Sequence, residues 1–161
     1  MFKKFLCLTA AIVMVAACDP QENNNGQGSI NGNGVSANNQ APGSETDFVV
    51  NVGDRVFFGY DRSDLTAEAR ATLDREAAWL KKYPNHSLTV EGHCDERGTR
   101  EYNLALGERR AQSMKNYLVA AGVDASSLQT ISYGKERPAV VGSNEASWAQ
   151  NRRGVAVLKG Q

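Results

Sequence analysis

Leu65, Ala69, Leu73, Ala77 and Leu80 recur every three or four positions, a spacing that puts them on one face of a helix. Thr66 can cap its start, Glu68 suits its first turn, and Pro84 marks its stop. A second stripe, Leu104, Ala111, Met114 and Leu118, predicts a helix that begins near Asn103 and ends at Gly122, where a left-handed cap is useful. Four segments read as strands. Residues 56–60 are an apolar, aromatic run closed by the turn-like Asp61-Arg62-Ser63-Asp64, and in residues 87–92 Leu88 and Val90 alternate with polar neighbours. Residues 128–133 form the third strand, and residues 154–159, with Val155 and Val157 facing one way, the fourth. Between these two lies a loop with a short helical turn near residues 146–151. The order β-α-β-α-β-β, with helices over one face of a sheet, predicts an α/β sandwich of two layers.

Upstream of these elements the pattern changes twice. Lys3 and Lys4 precede an apolar run at residues 5–17, 13 residues and short of the roughly 20 needed to cross a bilayer as a helix. That run reads as an export signal. Small residues stand directly before Cys18, as in bacterial lipoprotein signals, and the likeness implies cleavage after residue 17 and acylation of Cys18. Each buried methylene contributes roughly 0.8 kcal/mol, so several acyl chains make a persistent lipid anchor where one is marginal. Residues 19–47 hold seven Asn, five Gly, no aromatic residue and no Lys or Arg. Such a stretch buries too little apolar area to offset the entropy of ordering it, so residues 18–47 read as a lipidated N-terminus and flexible tether. A coil of that length and composition spans roughly 30 Å. Residues 48–161 remain for one modest core.

Composition sharpens this division. The whole chain has 161 residues with 18 basic and 18 acidic groups; the mature 144 residues keep 16 basic and 18 acidic, which gives no general attraction for nucleic acid. The densest polar cluster is His93, Asp95, Glu96, Arg97, Thr99, Arg100, Glu101, Tyr102 and Asn103, followed by Glu108, Arg109 and Arg110. A charged loop of this kind is often only a solvated surface. Geometry offers a sharper reading. Asn103 and Arg110 are two helical turns apart and share a face, while Asp95 ends the incoming strand, so a zwitterionic ligand can set its anion on Arg110 and its cation on Asp95. No strained nucleophile turn or ordered Ser/His/Asp set points to covalent hydrolysis. His93 and Cys94 are neighbours on a strand and point to opposite faces, which argues against a dyad, and two histidines with no close cysteine pair argue against a metal site. Cys94 reads as a small buried residue facing the helices, the alternative being an exposed, redox-active thiol. Trp79 and Trp148 read as packing or local surface contacts.

The segment EGHCDERGTREYNLALGERRAQSMKNYL at 91–118 resembles the OmpA-like peptidoglycan-binding domains, as do VFFGYDRSDL at 56–65, SYGKERP at 132–138 and NRRGVAVL at 151–158. With the signal and tether, the chain as a whole is similar to the peptidoglycan-associated lipoproteins. That resemblance implies non-catalytic attachment to the diaminopimelate of uncross-linked peptidoglycan stem peptide, with no cofactor. It implies that Asp95 meets the ligand's ammonium and Arg110 its carboxylate, that Asn103 and its loop shape the site, that Asp61 borders it, and that Leu104 and Arg153 support it. It further implies an outer-membrane lipid anchor at Cys18, a domain facing the periplasm, and membership of the Tol-Pal system with TolB as a partner, serving envelope integrity and constriction in division. The competing readings are a hydrolase acting on the same polymer and an envelope adaptor that binds protein alone.

Overall fold

The computed structural model describes residues 41–159. The predicted signal, Cys18 and most of the predicted tether lie outside the described residues. Three strand-helix alternations follow an N-terminal strap. The strap comprises α1 (Glu45–Asp47) and a π-type turn over Phe48–Val52. Then come β1 (Arg55–Phe57), α2 (Ala67–Lys82), β2 (Leu88–His93), α3 (Arg100–Ala120), β3 (Leu128–Gly134), α4 (Glu145–Asn151) and β4 (Arg153–Leu158).

The strands form one sheet in the order β1-β4-β2-β3, with β2 parallel to β3 and β4 antiparallel to both of its neighbours. The last strand is therefore inserted between the first and second. The two-layer α/β arrangement expected from the sequence is the one observed. Leu88 and Val90 of β2, Leu128 of β3 and Ala156 of β4 meet Ala69, Leu73, Ala77 and Leu80 of α2 and Ala111, Met114 and Leu118 of α3 in a single core. On β4 the apolar core positions are Gly154, Ala156 and Leu158; Val155 and Val157 do face one way, but toward the half-exposed outer surface. Where α3 crosses β2 the backbones nearly touch, and a Cβ on Gly92 would lie 1.8 Å from the carbonyl oxygen of Gly107. That close approach seats the start of α3 directly against the end of β2.

Local signals explain most boundaries. The Thr66 hydroxyl accepts from the Ala69 N–H, capping α2 as expected. α3 begins three residues before the expected Asn103, because the Thr99 hydroxyl accepts from the Tyr102 N–H and caps it there. Its far end closes at Gly122, which has φ +93°, with the Val123 N–H returning to the Leu118 carbonyl.

The strap corrects the reading of residues 44–47 as tether. Phe48 is fully buried and meets Trp79 edge-on at 5.0 Å between ring centroids. The Trp79 indole N–H donates to Asp47 Oδ2 at 2.8 Å, and the Gly43 N–H donates to the same carboxylate. The indole hydrogen bond above all, with those from the Asn51 amide and the Gly43 N–H, holds the Asp47 carboxyl down at about 2. A polar residue directly before Phe48 is thus tied to α2, and packing extends several residues upstream of 48.

Candidate functional site

Beyond the end of β2, the β1–α2 loop and the first turns of α3 enclose a cavity of about 150 Å³. Tyr60 and Asp61 come from the loop, Cys94, Asp95, Arg97 and Gly98 from the segment after β2, and Tyr102, Asn103, Leu106 and Arg110 from α3. Asn103, Leu106 and Arg110 recur at helical spacing on the buried side of α3, so two polar residues occupy positions that the core would otherwise fill with apolar ones.

Arg110 is the keystone of the cavity. Its side chain is fully buried. Nε donates to the Arg62 carbonyl at 2.8 Å, Nη1 to the His93 carbonyl at 2.7 Å and Nη2 to the Gly59 carbonyl at 3.0 Å. Two of those carbonyls bracket Tyr60 and Asp61, and the third lies at the end of β2, two residues before Asp95. One guanidinium therefore fixes three parts of the rim. A guanidinium has five N–H donors; three go to these carbonyls and a fourth meets the Cys94 sulfur, which leaves one for an anion in the cavity. Burial lowers the Arg110 pKa, with Cys94 and Asp95 acting the other way.

Asp95 is 4% exposed. Arg97 donates to it from Nε at 3.1 Å, from Nη2 at 2.6 Å and from its backbone N–H at 3.1 Å, and Arg152 Nη1 lies 3.4 Å away. Burial pushes the Asp95 carboxyl up, but the Arg97 hydrogen bonds and charge, together with Arg152, outweigh it and leave the group below its ordinary value. Asn103 is 2% exposed, and its amide donates to the carbonyls of Arg97 at 2.8 Å and Thr99 at 3.0 Å, closing the loop beneath the cavity. Asp61 stands at the mouth, accepts from the Tyr102 hydroxyl and holds φ at +55°. A short polar side chain tolerates that left-handed backbone better than a bulky one. The turn takes the chain out of the sheet, which explains why β1 ends at Phe57 and not at the expected residue 60.

The structure brings Asp95, Arg110, Asn103 and Asp61 together and leaves out the other two candidates. Leu104 is 51% exposed, and neither it nor Arg153 lines this cavity. Asn103 takes the core-facing place that periodicity assigned to Leu104, turning the leucine about 100° away. Arg153 is buried elsewhere, donating to the Asn151 and Arg137 carbonyls. Its chain neighbour Arg152 reaches Asp95 instead, because successive side chains of an extended segment point to opposite sides.

Sequence reasoning assigned no ligand-site role to Tyr60, Arg97, Arg152 or Trp148. The guanidinium carbon of Arg97 lies 4.1 Å from the ring centroids of both Tyr60 and Trp148. Trp148 and Arg152 are four residues apart, a spacing that could have flagged a shared helix face. Cys94 is buried, as the preferred reading had it, with its thiol donating to the Asn103 carbonyl at 3.3 Å and its pKa raised chiefly by burial. His93 lies away from the cavity, beside Glu91 and Tyr133, and burial lowers its pKa to about 4. Among the described residues no cluster of metal-ligating side chains occurs.

Residues 57–152 match the OmpA family. A peptidoglycan-associated lipoprotein of Rhizobium meliloti is 57% identical over 129 residues, covering 80% of this chain and 73% of the relative. One from Haemophilus influenzae is 43% identical over 96% of both chains. Among solved structures, the peptidoglycan-associated lipoprotein of Burkholderia pseudomallei superposes with a TM-score of 0.65 at 40% identity, over 66% of this chain and 90% of that one. The C-terminal domain of Helicobacter pylori MotB shares the fold alone, with a TM-score of 0.63 at 20% identity over 67% of this chain and 85% of that one.

Proposed function

The chain belongs to the OmpA family as one of its peptidoglycan-associated lipoproteins, which are non-enzymatic, and from that premise we propose that its cavity binds the free amino-acid centre of diaminopimelate in peptidoglycan stem peptides. The supporting observation is the pairing, across one small cavity, of a buried carboxylate with a guanidinium that keeps one N–H donor unused. An ammonium meets Asp95 and the adjoining carboxylate meets Arg110. Opposite charges at fixed separation discriminate a zwitterionic centre from a peptide-bonded one, which has lost a charge. A lytic reading needs an activated nucleophile, whereas Cys94 is buried with a raised pKa and His93 points elsewhere.

Anchored through acylated Cys18 and gripping the wall through this cavity, the protein joins the outer membrane to peptidoglycan from the periplasmic side. Two attachments on one chain make the second intramolecular, and the tether sets their effective concentration. Within the Tol-Pal system, with TolB as partner, such a link lets the outer membrane follow the constricting wall. Membrane fractionation tests the placement: the native lipoprotein is expected in the outer-membrane fraction, and recovery mainly with the inner membrane refutes it.

The cavity itself is tested by cosedimenting the detergent-solubilised full chain with diaminopimelate-containing wall. Asp95→Asn keeps the shape and removes the charge. It is expected to weaken binding at least about thirtyfold, the low end for losing one partner of a desolvated charge pair. Unchanged sedimentation would sink the assignment of the ammonium to Asp95.

A further inference from the structure

Asp95 is the seat that the proposed ligand's ammonium needs, and a side chain already sits in it. Arg97 holds both carboxylate oxygens, and its flat guanidinium is sandwiched between Tyr60 and Trp148 at 4.1 Å from each ring. The contacts of Arg97 are those a bound cation would make: two charge-assisted hydrogen bonds and two aromatic faces.

We propose that Arg97 is a built-in occupant of the ammonium seat, which an incoming cation displaces toward Glu145, so that Arg97 sets the site's selectivity for ligands carrying a positive charge. This rests on the reading of the cavity given above. Three features make Arg97 the movable member of the cluster. Its side chain is 29% exposed, against 5% for Asp95 and 8% for Arg152, so it alone of these three has a path to solvent. Its backbone is pinned by the bond from the Asn103 amide to its carbonyl, so exchange needs only side-chain rotation. A destination stands ready, since Glu145 Oε2 is 3.9 Å from Arg97 Nη1 and Glu145 is 66% exposed.

Arg152 stays behind in this exchange. Its Nε donates to the Phe58 carbonyl and its Nη2 to Glu145 Oε1 at 2.6 Å, so Asp95 keeps one cation near it throughout. The swap replaces one cation by another and leaves the buried carboxylate compensated at every stage. A neutral ligand has no such route. Displacing Arg97 without bringing a charge strands Asp95 in a poorly solvated place, a penalty charged ligands escape. An unoccupied seat would lack that filter and would bind cations more tightly, because they would no longer compete with the protein's own arginine.

Arg97→Met tests this, since methionine retains packing between the two rings and removes the charge. Calorimetric titration of the full chain in detergent with a stem tripeptide ending in meso-diaminopimelate is expected to show about tenfold tighter binding in R97M than in wild type. Equal or weaker binding in R97M, with wild type binding normally, overturns the proposal and leaves the diaminopimelate assignment standing. No binding by either chain overturns both. Trp148 gives a second readout in a Trp79→Phe background, where it is the remaining tryptophan. Saturating tripeptide is expected to shift its emission toward that of the unliganded R97M chain, and an unmoved emission at saturation also overturns the displacement.

Discussion

Replacing Arg110 by alanine is expected to lower the stability of the domain by about 3 to 5 kcal/mol, a fall of roughly 10 to 20 °C in Tm, before any ligand is considered. The guanidinium is fully buried and serves three backbone carbonyls belonging to two separate segments. Alanine leaves a cavity and strips those acceptors of their donor; the His93 carbonyl is the deepest of the three. Lysine is not a conservative replacement, because one ammonium centre cannot span acceptors arranged around a planar fork. Arg110→Lys is therefore expected to recover only part of the loss. Thermal unfolding of the three chains checks this, and a Tm within about 3 °C of wild type in the alanine variant contradicts the keystone role. Loss of wall binding in Arg110→Ala consequently reports a collapsed rim as readily as a lost ligand contact. Asp95→Asn is the cleaner probe, since Arg97 can turn to solvent and Arg152 keeps Phe58 and Glu145 as partners.

The same residue shows how far sequence patterns carry. α2 was legible because its buried face is almost wholly apolar, from Ala69 through Leu80, and because Thr66 and Pro84 bound it. The start of α3 was misplaced because its core side opens with Asn103 and later holds Arg110, so the apolar stripe was drawn through the wrong side of the first turn and took in Leu104. Periodicity finds a face by its hydrophobicity. It misreads a face whose polar members are buried to build a site. The sheet order was outside its reach, since the insertion of β4 between β1 and β2 depends on pairings across nearly the whole chain.

Site residues divide along the same line. Asp95, Asn103 and Arg110 lie close in sequence, and strand-end and helix-face geometry alone places them together. Trp148 and Arg152 come from the far end of the chain, and only the central place of β4 carries α4 back to Asp95. Arg97 was visible in the charged loop, but nothing in one dimension distinguishes a solvated arginine from one stacked between two rings.

Replacing Glu76 by methionine is expected to stabilise the protein by about 4 kcal/mol at pH 8 and by only about 1 kcal/mol at pH 5. Glu76 is fully buried on the core side of α2, between Leu73 and Leu80, and neither carboxylate oxygen has a hydrogen-bond partner. Burial, reinforced by the charge of Asp54 and opposed by that of Arg75, raises its pKa from 4.5 to about 8. Below about 4.5 the carboxyl is protonated whether the chain is folded or not. Between there and 8 the folded chain retains a proton that the unfolded chain releases, so each unit of rising pH favours unfolding, and above 8 the loss is complete. His93 works the other way: with its pKa lowered from 6.5 to about 4, it adds stability as pH rises across that interval. One proton each, the two slopes oppose one another from about 4.5 to 6.5, and the Glu76 loss stands alone from 6.5 to 8. Wild type is accordingly expected to hold a nearly level stability in acid and to weaken toward pH 8, whereas Glu76→Met climbs through the histidine interval and then stays level. Urea titrations of both chains from pH 4 to 9 isolate Glu76 in their difference, because His93 is common to both. A difference that does not grow between pH 5 and 8 means the carboxylate ionises in the fold at an ordinary pKa.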